Sequence, residues 1–429
     1  MDSLTRQTGW IVVTAAVILT ASSAAALELP EIHGFAEADA AVKLDSGNTK
    51  HDDYNLMEQR IQLKSTAFIS GDNYLAEKGG IFNFKGDFTV DEYFGGKTGF
   101  ELRELNLGLT PLDIVDVKAG RQVLTWGTGD YLFINDLFPK DYVSFFAGRD
   151  DEYLKKPSDA LRVSVYPSWG NLDAVVMAFA PNTTAAGDRL TFFDPLQGGI
   201  AGRESERKLL EPARQADNLE YALRYYRNIG SHELALYYFR GFDKNPTSFK
   251  SISERQLFYR RLDVYGWSLR GPVAGGIGNA EFGCARSRED TDGTDRLIEN
   301  SQLKVLAGYS KDLGNDLKIG VQYQFEKRLD YAAYTAALLP GDLLLDEYRH
   351  LVTQRITKQF LNQTLTLSLF NFYSPSDKDG YIRPVASYDW TDQWKVTLGA
   401  NIPWGDDDYT EFGQMKENKN IYVRVRYSF

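Results

Sequence analysis

The amino-acid sequence predicts an all-β protein, a transmembrane antiparallel up-and-down β-barrel of about 18 strands, with 16 strands as the alternative. Three observations lead to this prediction. Apolar and polar residues alternate along most of the chain, short and long connections alternate between the predicted strands, and the composition is both polar and rich in aromatic residues. A barrel accounts for all three, because only alternate residues of each strand face lipid while the others face a polar lumen.

The composition excludes several other classes of protein. The chain of 429 residues has a mean hydropathy of −0.37 and is 25% charged, which is too polar for a helical membrane protein. Yet it contains 25 Tyr, 25 Phe and 7 Trp, as expected if aromatic residues form girdles at two membrane interfaces. The net charge of −11 argues against nucleic acid as a partner, and the single cysteine, Cys284, excludes an internal disulfide framework.

The amino end has the segments of a secretory signal peptide in the required order. Arg6 precedes an apolar run over residues 10–19, and the small residues 24–26 offer a cleavage site. The apolar run is too short, and too rich in Ala and Thr, for a membrane-spanning helix. We therefore predict a cleaved signal peptide over residues 1–26 and one barrel domain over residues 27–429. An exported chain without a later apolar span can cross a membrane only as a closed barrel.

The predicted strands follow one another almost to the last residue. Charged side chains such as Glu37, Arg60 and Asp87 alternate with apolar neighbours, which is unfavourable in a soluble core and normal beside a water-filled lumen. The alternation places strands near residues 36–44, 57–69, 82–90, 100–109, 113–125, 158–167, 170–181, 217–228, 231–242, 257–270, 276–286, 301–311, 315–327, 347–359, 362–373, 380–391, 393–404 and 419–429.

The connections between these strands are sorted by length. Tight turns occur near residues 110–113, 167–170, 228–231, 311–316 and 391–393. Longer polar loops lie between them, over residues 126–157, 182–216, 243–256, 287–300, 328–346 and 405–418. Transmembrane barrels have short periplasmic turns and long outer loops, so both chain ends are predicted to be periplasmic. A soluble sandwich has no physical reason to sort its loops in this way.

The last strand ends on its apolar face. Val423, Val425, Tyr427 and Phe429 alternate with polar residues that include Arg424 and Arg426. This ending resembles the C-terminal signature of bacterial outer-membrane β-barrels, whose last strand is read by the barrel-assembly machinery. The resemblance implies the outer membrane of a Gram-negative bacterium, with its lipid and lipopolysaccharide around the barrel and the assembly machinery bound through Phe429. An edge strand of a soluble β protein is the alternative.

A second resemblance lies within residues 100–169. Phe100-Glu-Leu-Arg-Glu-Leu105 is followed by Val117-Lys-Ala-Gly-Arg-Gln-Val-Leu-Thr-Trp-Gly127, and then by Asn135-Asp136, Pro139-Lys-Asp141 and Leu161-Arg162. This order resembles the large porin-like barrels of the alginate-export-like and DUF1302-like families. The resemblance does not extend to the remaining strands. It implies passage of a solute across the outer membrane and does not name the solute.

Residues 126–157 are predicted to form an inward constriction loop. Two flexible glycines follow Trp126, and residues 131–146 are too apolar and aromatic for a freely solvated loop. The candidate residues of the constriction are Trp126, Asp130, Tyr131 and Asp136. The alternative is a surface loop that packs on its neighbours or contacts lipopolysaccharide.

Arginines are the most frequent charged residues on the predicted polar faces, whereas acids concentrate in loops such as 150–152, 290–295 and 406–408. A basic lumen beneath acidic loops favours anionic solutes, because a guanidinium stays charged and pairs with carboxylate or phosphate. The alternative is an arginine–carboxylate ladder that fills the lumen. The pore-lining candidates are Arg60, Lys64, Arg103, Arg121, Arg162, Arg224, Arg383, Arg424, Arg426, Glu58 and Glu220, although the alternation is broken near Arg103 and Arg121. Arg60 and Arg224 are the best placed to meet an anion, unless Glu58 and Glu220 hold them.

The predicted function is a porin-type channel for diffusion, export or uptake of small or oligomeric hydrophilic, anionic solutes, without enzymatic activity, cofactor or metal. One alternative is a sheath or scaffold for a partner protein. Another is an outer-membrane enzyme with a site at the outer rim, where His51 and His350 each have carboxylates nearby in the sequence. The acidic loops 290–295 and 406–408 offer oxygen ligands for Ca²⁺, but the distal Glu of an EF-hand loop is missing. None of the common hydrolase, metalloprotease or P-loop motifs is present.

Overall fold

The computed structural model describes residues 26–27, 31–185 and 187–429, so that the predicted signal peptide lies outside the described residues except for its last position. The described residues form a closed antiparallel barrel of eighteen long strands, which confirms the predicted fold and strand number. The strands are β1 Ile32–Lys43, β2 Tyr54–Ser70, β3 Ile81–Asp91, β4 Lys97–Leu112, β5 Val115–Val123, β6 Pro157–Val165, β7 Asn171–Met177, β8 Glu220–Ile229, β9 His232–Phe242, β10 Arg261–Val273, β11 Gly276–Ser287, β12 Gln302–Asp312, β13 Leu317–Arg328, β14 Tyr348–Phe360, β15 Leu365–Ser374, β16 Asp379–Asp389, β17 Trp394–Gly405 and β18 Asn420–Ser428.

Each strand pairs with the next along the chain, and the first strand closes the barrel against the last. The closing register runs from Phe35 opposite Ser428 to Lys43 opposite Asn420. Closure leaves none of the eighteen described strands with an unpaired edge, which removes the usual risk of edge-to-edge aggregation. A further two-residue strand, Ala26–Leu27, pairs with the end of β2.

Burial alternates along the strands because successive side chains point to opposite faces. On β2, Met57 and Ile61 are 42% and 49% exposed, whereas Glu58 and Arg60 are only 5% and 4% exposed. The exterior is therefore apolar and the interior polar, the reverse of a soluble barrel. This arrangement is typical of a barrel that is surrounded by lipid.

The connections are sorted as the sequence predicts, with three exceptions among the described residues. The connection 71–80 is long although it lies on the short-turn side, and 92–96 and 375–378 are short although they lie on the long-loop side. The helices in the connections are α1 Tyr74–Glu77, α2 Tyr142–Ala147 and α3 Tyr331–Ala337. In the part of the chain that the structure describes, no helix is both long enough and apolar enough to cross a membrane.

Candidate functional site

The connection 124–156 between β5 and β6, here called the inner loop, crosses the barrel interior. Asn135 donates a hydrogen bond to Glu281 of β11 (Nδ2 to Oε2, 2.9 Å), and Tyr153 accepts one from Gln62 of β2 (Nε2 to Oη, 3.1 Å). Strands β2 and β11 lie on opposite sides of the barrel, since nine of its eighteen strand positions separate them. Contacts to both walls require the inner loop to span the lumen.

Apolar packing holds the inner loop there. Leu132, Ile134, Phe145 and Phe146 are buried in a cluster that includes inward side chains of β14, β15 and β16, namely Leu351, Phe370, Phe372 and Tyr381. At the stem of the loop, Trp126 packs against Phe138 and Tyr237, with ring centroids 5.0 and 6.0 Å apart. Burial of this much aromatic surface explains why the segment leaves the solvent, and each fully buried Phe contributes about 1.5–3 kcal/mol.

Two glycines let the loop backbone come close to the barrel wall. Gly148 has φ of +102°, and a Cβ at this position would lie 2.7 Å from the ring of Tyr422 on β18. Gly127 has φ of +81°, and the adjacent N–H groups of Thr128 and Gly129 donate to the carboxylate of Glu281. These positive φ angles are favourable for glycine and strained for other residues.

A wall of arginines from five inward positions faces the inner loop. We call Arg60, Arg103, Arg383, Arg424 and Arg426 the arginine wall. Asp150 of the loop lies 3.4 Å from Arg424 and 3.2 Å from Arg426 (each Nη2 to Oδ2), and Asp151 lies 2.8 Å from Arg383. The acidic run 150–152 therefore lies inside the barrel, which corrects the prediction of an acidic loop above a basic lumen.

Closure of the barrel neutralises part of the same wall. Glu37 and Asp39 on β1 lie directly opposite Arg426 and Arg424 on β18. The Glu37 carboxylate accepts a hydrogen bond of 2.7 Å from Arg426 Nε. Arg424 and Arg426 are thus shared between the closing strand and the inner loop.

Arg60 is fixed within a buried network of charges. Its guanidinium donates to Glu58 at 2.6 Å and to Asp87 at 2.5 Å, and it stacks over the ring of Tyr153 at 4.1 Å. The other oxygen of Glu58 accepts a hydrogen bond of 2.6 Å from Arg149 of the inner loop. With 4% of its surface exposed, Arg60 cannot meet a passing solute, so Glu58 does hold it.

Arg103 and Arg121, the two positions with broken alternation, point to opposite faces. Arg103 lies at a β-bulge, is buried, and donates to the carbonyl oxygens of Glu152 (3.0 Å) and Lys155 (2.9 Å). Arg121 lies directly opposite Asp159 in the strand register, and its guanidinium binds that carboxylate at 2.7 Å. The neighbours of Asp159, Ser158 and Ala160, are buried and point inward, so Asp159 and Arg121 point outward. The prediction that Arg121 lines the pore is therefore wrong, because an outward acid on the next strand stabilises an outward arginine.

The remaining predicted lumen residues lie at the two ends of the interior. Lys64, Arg162 and Arg224 lie in the half nearer the short turns, here called the short-turn half, and Glu220 lies close to the long loops. Arg162 donates to the Ser164 hydroxyl (3.2 Å), and Arg224 pairs with Glu233 (2.8 Å). Lys64 is exposed near the end of β2. Glu220 does not hold Arg224, since it is fully buried at the long-loop end of β8 and pairs with Lys244.

The predicted constriction residues all belong to the inner loop and all have partners. Asp130 lies 3.2 Å from Arg355 of β14, and Tyr131 donates a hydrogen bond to Asp151. Asp136 pairs with the buried Lys140 at 2.9 Å. Burial lowers the pKa of Lys140 below its ordinary value, and the charge of Asp136 opposes this change only in part.

A cavity of about 1630 Å³ opens above the inner loop, between the long loops. Its charged lining includes Arg349, which lies within 3.1 Å of Glu326, 2.5 Å of Asp377 and 2.7 Å of Glu411. Its apolar floor includes inner-loop residues such as Phe145. We call this cavity the vestibule. Among the described residues, its lining contains none of Lys64, Arg162 and Arg224, nor Arg270, an exposed inward residue of β10 in the short-turn half.

Comparisons with known proteins identify the fold. The structure is similar to the crystal structure of Pseudomonas aeruginosa OccK8 (OprE), with a TM-score of 0.55, 12% sequence identity, and coverage of 95% of this chain and 99% of that one. A mutant of the Rhodopseudomonas blastica porin aligns with a TM-score of 0.43 and 13% identity over 94% of this chain and all of the other. The first likeness shows the barrel fold. No family model and no curated protein matches the sequence, so the resemblance to the alginate-export-like and DUF1302-like families stays a prediction.

The two histidines of the predicted rim site are not brought together. His51 packs between Tyr54 and Tyr93, with ring centroids 4.5 and 4.7 Å away, whereas His350 shares a hydrogen bond of 2.7 Å with Tyr323 on the outer face. Among the described residues there is no cluster of three or more His, Cys, Asp or Glu side chains suited to a metal ion. In the loop 290–295, the Asp290 carboxylate instead accepts backbone hydrogen bonds from Thr294 (3.3 Å) and Asp295 (2.9 Å).

Proposed function

We propose that this chain forms a channel in the outer membrane of a Gram-negative bacterium and passes small hydrophilic, anionic solutes. The observation that carries the proposal is the closed barrel with an apolar exterior and a charged interior that a packed loop constricts. An apolar exterior matches lipid, and a polar interior matches water and hydrophilic solutes. The short-turn side then faces the periplasm and the vestibule faces the cell exterior.

Preference for anions is proposed from the arginines that have no carboxylate partner. Most of the arginine wall is neutralised by Glu37, Glu58 and the loop carboxylates. In the short-turn half, by contrast, no ion pair joins Arg162 or Arg270 to a carboxylate of the described residues. Glu233 lies opposite Arg270 in the strand register but pairs with Arg224. An unpaired guanidinium remains charged at any physiological pH and binds carboxylate or phosphate. A solute that passes the inner loop would meet these two positive charges.

One observation favours a second candidate function, a closed sheath or scaffold for a partner protein. The inner loop makes contacts on opposite walls, so it blocks much of the cross-section of the barrel. A loop that never moves would leave no path for a solute. Channel and sheath thus differ in one measurable property, which is ion conductance through the purified barrel.

Planar-bilayer recording of the purified full-length protein tests the proposal. We expect stepwise insertion of conducting units and, across a salt gradient, a reversal potential of the sign that anion preference requires. Absence of current from correctly folded protein would support the sheath and reject the channel. A conducting barrel with cation preference would retain the channel and reject the assignment of anionic solutes.

A further inference from the structure

The outer face of β9, β10 and β11 changes in character toward the long loops. Leu236, Trp267 and Phe282 lie directly opposite one another on adjacent strands and form an apolar row. In the next row toward the long loops, Tyr238 lies opposite Tyr265, with ring centroids 5.2 Å apart. Aromatic residues that follow an apolar band mark the interface between hydrocarbon and headgroups in membrane barrels.

Arginines occupy the two rows beyond these tyrosines. Arg240 and Arg286 flank Asp263, which lies directly opposite both. One row farther out, the backbone N–H of Arg288 donates to the carbonyl oxygen of Arg261 at 3.0 Å. All four arginine residues are exposed, and we call them the outer arginine cluster.

The two nearby carboxylates, Asp263 and Glu289, do not balance the four arginines of this cluster. Glu289 accepts a hydrogen bond of 2.7 Å from the backbone N–H of Arg261. Asp263 is 3.8 Å from Arg240 Nε and 3.7 Å from Arg288 Nε, and it also accepts a hydrogen bond from the Tyr238 hydroxyl (3.1 Å). Among the described residues, Arg286 has no ion pair. A local excess of exposed guanidinium groups on a chain of net charge −11 indicates an anionic ligand at this surface.

We propose that the outer arginine cluster binds the phosphate groups of lipid A in the outer leaflet of the membrane. The inference rests on the proposed location of the barrel in an outer membrane, with its long loops outside. The cluster lies where headgroups begin, one row beyond the tyrosines, and a guanidinium binds phosphate with paired hydrogen bonds. Arg240 and Arg286 are two strands apart, about 10 Å, so each can contact a different phosphate oxygen or a different phosphate.

The test uses the purified full-length barrel in detergent and measures binding of lipid A with both phosphates, of the same lipid without phosphates, and of phosphatidylglycerol. The variants are R286Q, which breaks no ion pair, and R240Q/R286Q. The matched control is R227Q/K311Q, because Arg227 and Lys311 are exposed basic residues on the same face near the short turns. We expect R240Q/R286Q to bind phosphorylated lipid A about tenfold more weakly, or worse, with a smaller loss for R286Q and none for the control.

Four results would overturn the proposal. Equal losses in cluster and control variants would show that the arginines act only as general positive charge, and undiminished binding of phosphate-free lipid A would show that phosphate is not recognised. If phosphatidylglycerol binds as tightly as lipid A, and if its binding also depends on the arginines, the assignment to lipid A is rejected. A change of oligomeric state in R240Q/R286Q, measured by light scattering, would instead identify a contact between copies of the chain. Measuring the conductance of the same preparations separates the test of this site from the test of the proposed channel. A barrel that binds lipid A but does not conduct refutes the channel and leaves the lipid A site standing.

Discussion

The arginines on the inner surface divide into two populations. In the arginine wall, Arg60 contacts two carboxylates and has 4% of its surface exposed. In the short-turn half, Arg162 contacts a serine hydroxyl, and Arg270 is exposed. The same residue type thus positions a loop in one region and presents charge to the lumen in the other. Burial and the number of carboxylate partners decide between these roles, and inward orientation alone does not.

The largest effect is expected from breaking the buried network around Arg60. The substitution E58Q removes a carboxylate that binds both Arg60 and Arg149. Of the described carboxylate partners, Arg60 then keeps only Asp87, and Arg149 keeps only a contact of 4.0 Å with Asp91, so that buried positive charge exceeds buried negative charge. We expect the free energy of unfolding in lipid vesicles, measured by denaturant titration, to fall by about 3–5 kcal/mol.

The matched control for that comparison is E233Q in the short-turn half. Glu233 also pairs with an arginine, Arg224, but its side chain is 40% exposed. Water replaces such a partner easily, so we expect a loss of at most about 1 kcal/mol. Equal losses from E58Q and E233Q would remove the distinction between the two regions.

The next effect concerns the docking of the inner loop. In D150N/D151N the loop loses the charged contacts that Asp150 and Asp151 make with Arg383, Arg424 and Arg426. Only Glu152 of the loop stays near Arg426, at 3.8 Å. Charge-assisted hydrogen bonds contribute about 1.5–3 kcal/mol each when buried, and less here because both carboxylates are partly exposed. We expect larger and noisier single-channel currents with a stronger preference for anions, because Arg383 loses its carboxylate partner while Arg424 and Arg426 keep Glu37. An unchanged current would show that apolar packing alone holds the loop.

A smaller effect is expected from the unpaired arginines. The double substitution R162Q/R270Q removes two charges that have no carboxylate partner among the described residues. In water, two unit charges 4 Å apart interact with about 1 kcal/mol, which corresponds to about a fivefold change in an equilibrium constant. We therefore expect the anion-to-cation permeability ratio to fall at most about fivefold for each arginine removed. R121Q, which alters an outward arginine, is the control, and its reversal potential should equal that of the unmodified protein.

The smallest expected effect is a dependence on pH. Burial raises the pKa of Asp151, but the charge of Arg383 and the hydrogen bond from Tyr131 outweigh it, so that the pKa lies below its ordinary value. Because the pKa of Asp151 is lower in the docked loop than in the undocked loop, the ionised carboxylate stabilises docking at any pH above the pKa of the undocked carboxyl. This stabilisation is lost as the pH falls through the lowered pKa. Current noise should therefore increase below about pH 4 and should not change between pH 5 and 8. The variant D151N should lack this dependence.

The strands could be predicted from the sequence because their signal is local. Alternation over β2, with Met57 and Ile61 outside and Glu58 and Arg60 inside, depends only on neighbouring residues. The outward orientation of Arg121 has a local signal as well, since Val117, Ala119 and Val123 are apolar residues at the alternate positions around it. Only the charge of Arg121 interrupts this apolar series.

The partners of the arginines could not be predicted, because they come from distant parts of the chain. Asp87 meets Arg60 only through the register of the next strand, and Asp150 meets Arg426 across 276 residues. The aromatic character of residues 131–146 indicated an inward loop, but nothing local showed that the acidic run 150–152 would go with it. Arg149 and Glu281, which fix the loop at opposite walls, gave no local signal either.

The closing contact between β1 and β18 has a consequence for the order of assembly. Asp150 reaches Arg424 and Arg426, which belong to the last of the eighteen barrel strands in chain order. The inner loop therefore cannot complete its contacts until the carboxyl terminus has joined the amino-terminal strand. A slip of one residue at that junction would turn both arginines toward lipid and leave the loop undocked. Docking of the loop thus reports that the two ends of the chain have met in the correct register.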